Sequence, residues 1–480
     1  MGESVLKEKT SKGLFWGGMS GLLTQVLNAA FGIYLARTLS PTDYGLVGML
    51  AIFTLLATIM QESGFPTALI NRKEIRHEDY NSVFWFSLTV SVACYAVLFF
   101  SAPLIARYFH HPELVLLSRV CFLNFIVSGL GVSHRTYLSK NLMVREIAIV
   151  NIVAVVVSGS VGILLASQGY AYWTLVVQSL VLNFFLTSGY WLFSKWRPRI
   201  SFDIRPIKEM FSYSVRILVT SILSVLNANL ITVILGRYYS AERVGYYTQA
   251  NKWSQMGVSV LVSMVTSVAQ PVFAGVVDEQ ERQLRIFRRM MRFAAFISFP
   301  SMLGLAFIAP EFIPVVITDK WNDSILLLQI LCAGGAFTPL VYVCSHLILS
   351  RGKASKYMWS QISLFAAILA LVYLLYPKGI TAMVIGISTV NAIWILVWTF
   401  MVKEELGYKF SHLFSDLVPF LLITCVSIAA AYFITRGIAN AKLLLVSKIL
   451  VTAAVYMILM RLSDSVTFKE SVNFVLRRNK

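Results

Sequence analysis

The chain has 480 residues, 57% hydrophobic and 13% charged, with a mean hydropathy of +0.72. That balance excludes a soluble domain with a polar coat and places the chain in a bilayer. Its net charge of +18 would suggest nucleic acid in a soluble protein, but the placement of the charge must be read before its sum.

Crossing a hydrocarbon core of about 30 Å takes roughly 20 apolar helical residues, and such runs recur from end to end. Fourteen spans are predicted: 12–36, 45–70, 80–105, 113–134, 147–167, 170–194, 210–235, 244–274, 291–317, 324–350, 357–376, 379–401, 415–435 and 441–461. No gap between them holds a separate soluble domain. The basic start runs into a full-length span without a small-residue cleavage site, so no cleaved signal peptide is expected. With the N-terminus inside, inner segments, taken with Lys12, Arg292 and Arg461 at the adjoining span edges, hold 29 of the 41 Lys and Arg, and outer loops, taken with Lys442, hold 8. Both termini are therefore expected in the cytoplasm, and the basic surplus is a topology signal that leaves no role for nucleic acid.

Besides Lys12, Arg292, Lys442 and Arg461 at span edges, four cations lie deeper within spans: Arg119, Arg216, Lys252 and Lys448. Such groups cost at least about 2.5 kcal/mol at a helix centre and usually face a cavity or a partner. Span one carries Thr24 and Asn28 below Gly17 and Gly21, and span two aligns Thr54, Thr58 and Gln61 with Glu62 beside them. Arg216, Thr220, Ser224 and Asn227 share one face of span seven. Span eight places Lys252 about 13 Å past Arg243 at ~1.5 Å per residue, near mid-membrane. Gln255, Ser259, Ser263, Thr266 and Gln270 continue that face as a polar stripe.

Small polar residues also glue helices together, which is the commoner role of a single Ser or Thr. Arg216 stands between lining a cavity and snorkelling to the cytoplasmic surface, and Arg119 and Lys448 are expected to snorkel outward. Lys252 is expected to face a cavity, with a structural ion pair to Glu62 as the rival. Cys94, Cys121, Cys332, Cys344 and Cys425 fall in apolar runs without metal-ligand spacing and are expected to be core filler. His110 and His111 read as solvated turn residues.

An internal echo organises these features. Arg37, Ser40 and Gly45 recur as Arg237, Ser240 and Gly245, and VLNA at 26–29 recurs at 225–228. Both copies end an outward-going span and begin the return, and their shared order indicates a duplication. Six spans separate them, so the repeat is parallel, with substrate expected between the halves near the midplane. The expected division is 1–200 and 201–408 for two six-helix bundles and 409–480 for two further helices and a tail. No outer loop is long enough for the acid, His or Arg groups of a glycan-polymerising site, and no P-loop is present, so an enzyme is not expected.

Four stretches carry a family likeness: ESGFPTALINRKEIRHEDYNSVFWFSL, ASQGYAYWTLVVQ, VGYYTQANKW and TDKWNDSILLLQIL. From about Lys9 to Lys403 the chain resembles the Wzx-type polysaccharide flippases of the multidrug/oligosaccharidyl-lipid/polysaccharide exporter superfamily, in the branch that includes the colanic acid exporter. The resemblance implies two six-helix bundles in a V around a cavity lined by spans one, two, seven and eight, with two C-terminal helices added. It implies alternating access that carries undecaprenyl-diphosphate-linked oligosaccharide from the cytoplasmic to the periplasmic leaflet of a bacterial inner membrane. Arg216 and Lys252 are the positions that fit the diphosphate or acidic sugars, with Glu62, Gln61, Thr24, Asn28, Asn227, Gln255 and Ser259 as further cavity residues. Lipid II flippases carry a basic residue within span one; this chain does not, which argues against lipid II as cargo.

No cofactor is implied, and the driving force stands between proton or sodium coupling and membrane potential. The implied partners are the lipid-linked glycan and membrane lipids, with a polysaccharide polymerase and chain-length regulator beside them. A drug or cation antiporter of the same superfamily is one rival and would want an acidic cavity. A membrane glycan polymerase or ligase is another, and a non-transporting scaffold a third.

Overall fold

The computed structural model describes residues 3–62, 64–71, 75–201, 203–277 and 279–463, and their regular structure is entirely helical. In chain order the helices are α1 (Glu3–Thr38), α2 (Pro41–Glu62), α3 (Phe65–Asn71), α4 (His77–Phe109), α5 (Leu114–Cys121), α6 (Leu123–Gly129), α7 (Val132–Lys140), α8 (Val144–Ser167) and α9 (Trp173–Phe193). There follow α10 (Arg205–Tyr238), α11 (Ala241–Ala274), α12 (Gln280–Phe312), α13 (Ser324–Gly335), α14 (Thr338–Ser350), α15 (Ala354–Leu375), α16 (Ile380–Leu406), α17 (Phe410–Thr435) and α18 (Ala441–Leu462). The expected C-terminal tail beyond 463 lies outside the described residues.

Among the described residues eleven helices are long and apolar enough to cross a membrane, and twelve when the pair bent by 41° at residues 130–131 counts as one. α10 and α11, 34 residues each, cover predicted spans seven and eight. A helix therefore underlies each of the fourteen predicted segments. What the hydropathy pattern does not carry is where spans break. The second parts after Glu62, where Gly64 takes φ +73° and Pro66 opens the next helix. The tenth is interrupted ahead of Pro339, and α12 ends in a π-turn at Ile313–Ile317 just past Pro310.

The chain forms two compact units, Met1–Gly245 and Tyr246–Lys480. In the first, α8 packs between α1 and α9, while α10 packs on α2, α3 and α4. The sequence echo and the packing thus mark different points of the chain, because the echo registers like residues in like order whereas compactness records which faces are buried together. At the end of this unit where its basic linkers converge, Trp196, Phe84, Tyr80 and Phe65 form an aromatic core. The 194–201 linker is held there by Trp85 Nε1 donating to the Arg199 carbonyl at 2.8 Å and the Arg199 amide donating to Asn81 at 2.8 Å.

In the second unit α12 is central, packing on α13, α14, α17 and α18, while α16 packs on α13, α14 and α15. The two C-terminal helices are fastened to α12 by charge. Arg288 donates both Nε and Nη2 to Asp416 of α17 at 2.9 Å, Arg292 approaches it at 3.2 Å, and the Tyr408 hydroxyl donates at 3.3 Å. Lys448 of α18 is buried, donates to Glu311 at 2.7 Å and lies 4.4 Å from the Phe307 ring centroid. This corrects the expectation that Lys448 snorkels: a carboxylate within reach removes the need to find water. Arg119 sits over the Phe99 ring at 4.3 Å.

Both copies of the echoed turn are helix N-caps. Ser40 precedes α2 and its hydroxyl and amide both bond Asp43, at 2.7 and 2.8 Å, while the Asp43 amide donates back to Ser40 at 3.2 Å. At Ser240 the residue three positions on is Arg243, so only the amide-to-hydroxyl bond remains, at 3.4 Å. Next to it Arg237 donates to the Tyr108 carbonyl and to His110, and its guanidinium lies 5.0 Å from the Tyr108 ring. His110 is an exposed turn residue, as expected, and is in addition a partner of α10.

Candidate functional site

α11 is two-faced in a way that the hydropathy of its span conceals. Trp253, Ser254, Val258, Leu261 and Val265 are buried within the second unit, whereas Gln255, Ser259 and Ser263 are exposed and Lys252 is half-buried beside them. Among the described residues the hydroxyls of this stripe bond within their own helix: Ser259 donates to the Met256 carbonyl (3.0 Å), and Ser263 to the Ser259 carbonyl (2.7 Å). A hydroxyl so engaged keeps its acceptor lone pairs for water or ligand, and this bonding is not the interhelical glue that small polar residues often supply. The stripe is thus an open polar surface on a helix of membrane-spanning length.

On α1, Asn28 is exposed and Gly21 meets nothing within 4 Å. Thr24 is half-buried and its hydroxyl has no hydrogen-bond partner. The backbones of Glu62, Arg216 and Asn227 lie in α2 and α10, but their side chains lie outside the described residues, as do those of Thr220, Ser224 and Gln270. The rival Lys252–Glu62 pair falls with them.

Gln61 has a different setting. It is 1% exposed and lines a cavity of about 310 Å³ walled entirely by residues of the first unit. Ser128 donates to Gln61 Oε1 at 3.0 Å, while Gln61 Nε2 has no partner. Thr58 lines the same cavity. From the opposite side come Arg135, Thr136 and Ser139 of α7 and Asn183, Thr187 and Tyr190 of α9. Here side chains do join helices: Asn183 donates to Asn124 at 2.8 Å, Thr187 to the Val127 carbonyl at 2.9 Å, and Tyr190 to Asn151 at 3.0 Å. Gly131 stays a glycine for a local reason, since a Cβ would stand 2.9 Å from the Thr187 hydroxyl. The period of span two gives Thr58 and Gln61 one face. The α7 and α9 residues carry no comparable signal, because α7 is the short, bent end of a broken span.

With the geometry described, the chain can be set beside known proteins. The sequence pattern of the family described as Polysaccharide biosynthesis protein matches residues 34–326. The chain belongs to that family. It is 26% identical over 440 residues to the teichuronic acid biosynthesis protein TuaB of Bacillus subtilis, covering 89% of each chain. With the lipopolysaccharide biosynthesis protein WzxC of Escherichia coli it shares 25% over 427 residues, 87% of this chain and 86% of that one.

Among solved structures the fold is similar to the lipid II flippase MurJ in an inward closed conformation, with a TM-score of 0.75 at 15% identity, covering 96% of this chain and 99% of that one. It is also similar to a multidrug resistance MATE family transporter of the MOP superfamily, inward-facing, at 0.63 and 18% identity over 80% and 94%. These two likenesses show the fold alone: an all-α arrangement of many membrane-length helices, shared with those two transporters.

Proposed function

We propose that the chain is a flippase for lipid-linked glycan, moving undecaprenyl-diphosphate-linked repeat units from the cytoplasmic to the periplasmic leaflet of a bacterial inner membrane for surface polysaccharide synthesis. The observation that carries the reading is the open polar stripe of α11 with Lys252 at its head. A face of amides and hydroxyls turned to hydrocarbon would be costly, so such a face on a membrane helix requires a hydrated path. A polysaccharide precursor as cargo is supported by the family's description and the relatives' names, which place them in polysaccharide, teichuronic acid and lipopolysaccharide biosynthesis.

The chemistry follows from the cargo. A polar glycan cannot cross hydrocarbon unaided; the stripe shelters the headgroup while the isoprenoid tail remains in lipid. Lys252 offsets the desolvation of diphosphate as a charge-assisted donor, with Arg216 as the second cation. Glu62, Thr24, Asn28, Asn227, Gln255 and Ser259 complete the proposed polar lining, whereas Gln61, enclosed in the first unit's own cavity, is not part of it. Alternating access, cytoplasmic termini and the absence of catalysis belong to the same reading. An inside-negative potential favours outward anion movement by about 2.3 kcal/mol per charge per 100 mV, which supplies a driving force without a cofactor.

The test is complementation of a flippase-deficient strain. Lys252→Ala is expected to abolish surface polysaccharide while membrane insertion is unchanged, and Lys252→Arg to retain part of it. Full activity of Lys252→Ala would remove the residue from the site.

A further inference from the structure

The charge bias leaves 8 of the 41 Lys and Arg for the outer side, opposite the basic linkers. Four of them, Arg37, Arg107, Arg237 and Arg243, belong to the ends of α1, α4 and α10 and the start of α11, all within the first unit. Residues 34–45, 105–115 and 229–245, which carry them, are described in full. The acids of these segments are Asp43, which bonds Ser40 at the cap of α2, Glu113, 3.8 Å from His111, and Glu242 in the first turn of α11. Among the described residues, none of the three pairs with Arg107 or Arg237.

Arg237 is instead held by neutral groups. Its Nη1 caps the end of α4, donating to the Tyr108 carbonyl and to His110 Nε2 at 3.0 Å, and the guanidinium lies 5.0 Å from the Tyr108 ring. A guanidinium carries five N–H donors in a planar fork. Both hydrogen bonds use Nη1, so Nε and Nη2 stand open to an acceptor from outside the chain. Arg107, three residues before His110 on α4, is exposed and makes no hydrogen bond or ion pair among the described residues.

Arg107 also heads an apolar face. Val97, Phe100 and Leu104 precede it at helical spacing and all are exposed, Phe100 by 78%. Two guanidiniums above a lipid-facing stripe suit an amphiphile with two phosphates, one for each planar fork, over a hydrocarbon chain. A single phosphodiester would leave one guanidinium unmatched, and a zwitterionic headgroup would bring an ammonium against both.

We propose that Arg107 and Arg237 form an outer-leaflet docking site for the diphosphate of a lipid-linked glycan, whose isoprenoid chain lies along Val97, Phe100 and Leu104. The site is separate from the α11 stripe and receives cargo already delivered to that leaflet, an occupant that rests on the flippase reading. Any diphosphate lipid in the leaflet presents the same chemistry.

The test is photo-crosslinking from benzoylphenylalanine substituted at Leu104 of the full chain, in phosphatidylcholine liposomes containing radiolabelled undecaprenyl diphosphate. The yield is expected to fall at least about fivefold with Arg107→Gln and Arg237→Gln together, as loss of two charge-assisted contacts predicts. Arg107→Gln alone, which removes no contact within the chain, serves if the double variant does not fold and is expected to lower the yield about threefold. An unchanged yield in a folded variant would overturn the site. Equal competition by dioleoyl phosphatidylglycerol, or by inorganic diphosphate, would overturn the assignment to a diphosphate lipid. Crosslinking needs no transport, so the two readings fail separately. A parent that crosslinks but does not complement a flippase-deficient strain would sink the flippase reading and keep the site. A parent that complements, with a crosslink indifferent to both arginines, would do the reverse.

Discussion

Gly45 and Gly245 are reciprocal: Gly45 lies against the carbonyl of Ala241, the first residue of α11, and Gly245 against that of Pro41, the first residue of α2. A Cβ at either position would fall well inside the radius of the facing backbone oxygen. The repeated glycine is therefore explained by contact, since the two copies of the turn cross at the same register and each removes its side chain for the other's backbone. Replacing either glycine by Ala is predicted to cost about 1–3 kcal/mol or more, because backbone on both sides cannot yield as a side chain can. Gly304→Ala, where nothing stands within 4 Å, is the control and should be neutral or stabilising by about 0.5–1 kcal/mol. Thermal unfolding in detergent reads both, and equal melting temperatures for Gly45→Ala and Gly304→Ala would contradict the contact.

Asp416 is the hub that docks α17 on α12, and it is 1% exposed. Removing the carboxylate leaves Arg288 and Arg292 without it in a half-buried setting, and breaking such a pair typically costs about 3–5 kcal/mol. Asp416→Ala is predicted to lower the melting temperature and expose the 403–410 linker to protease. A variant as stable as the parent would show that the last two helices are held by apolar contacts alone.

Lys448 and Glu311 allow a cleaner measurement. Each is nearly enclosed, and Glu311 Oε2 has no hydrogen-bond partner. Lys448→Met should destabilise more than the double variant Lys448→Met with Glu311→Gln, which removes both charges together. The coupling energy from the cycle is expected to be about 1–3 kcal/mol. Additive effects would mean that the 2.7 Å contact contributes nothing specific.

The two faces of α11 differ in accessibility to a membrane-impermeant thiol reagent. In a background with Cys425, the exposed native cysteine, replaced, Gln255→Cys and Ser259→Cys are predicted to label. Ser254→Cys and Val258→Cys, at positions 3% and 6% exposed, are predicted to resist. Labelling of all four, or of none, would deny the stripe its hydrated setting.

Much of this was legible from the chain. Thr58 and Gln61 fall on one face because α2 is regular, and the α11 stripe follows the same helical period. The broken spans were not legible, since Pro and Gly mark where a helix can part without saying that it does. Nor was the burial of Lys448, because depth scales treat a cation alone and its acid lies 137 residues away. Cys425, expected as core filler, lies exposed because apolar residues of a membrane helix face lipid as readily as core.

By itself the sequence determined that this chain is a set of membrane-length apolar helices with a biased distribution of cations and an echoed turn. Partitioning between water and hydrocarbon acts residue by residue and needs no neighbour. Only the tertiary structure decided which face of α11 stays open, that Gln61 belongs to a cavity walled by its own unit, and that Asp416 meets Arg288 across 128 residues. Those facts depend on how each helix is rotated about its axis against its neighbours. That rotation is set by packing between distant segments, which the linear order of residues leaves unstated.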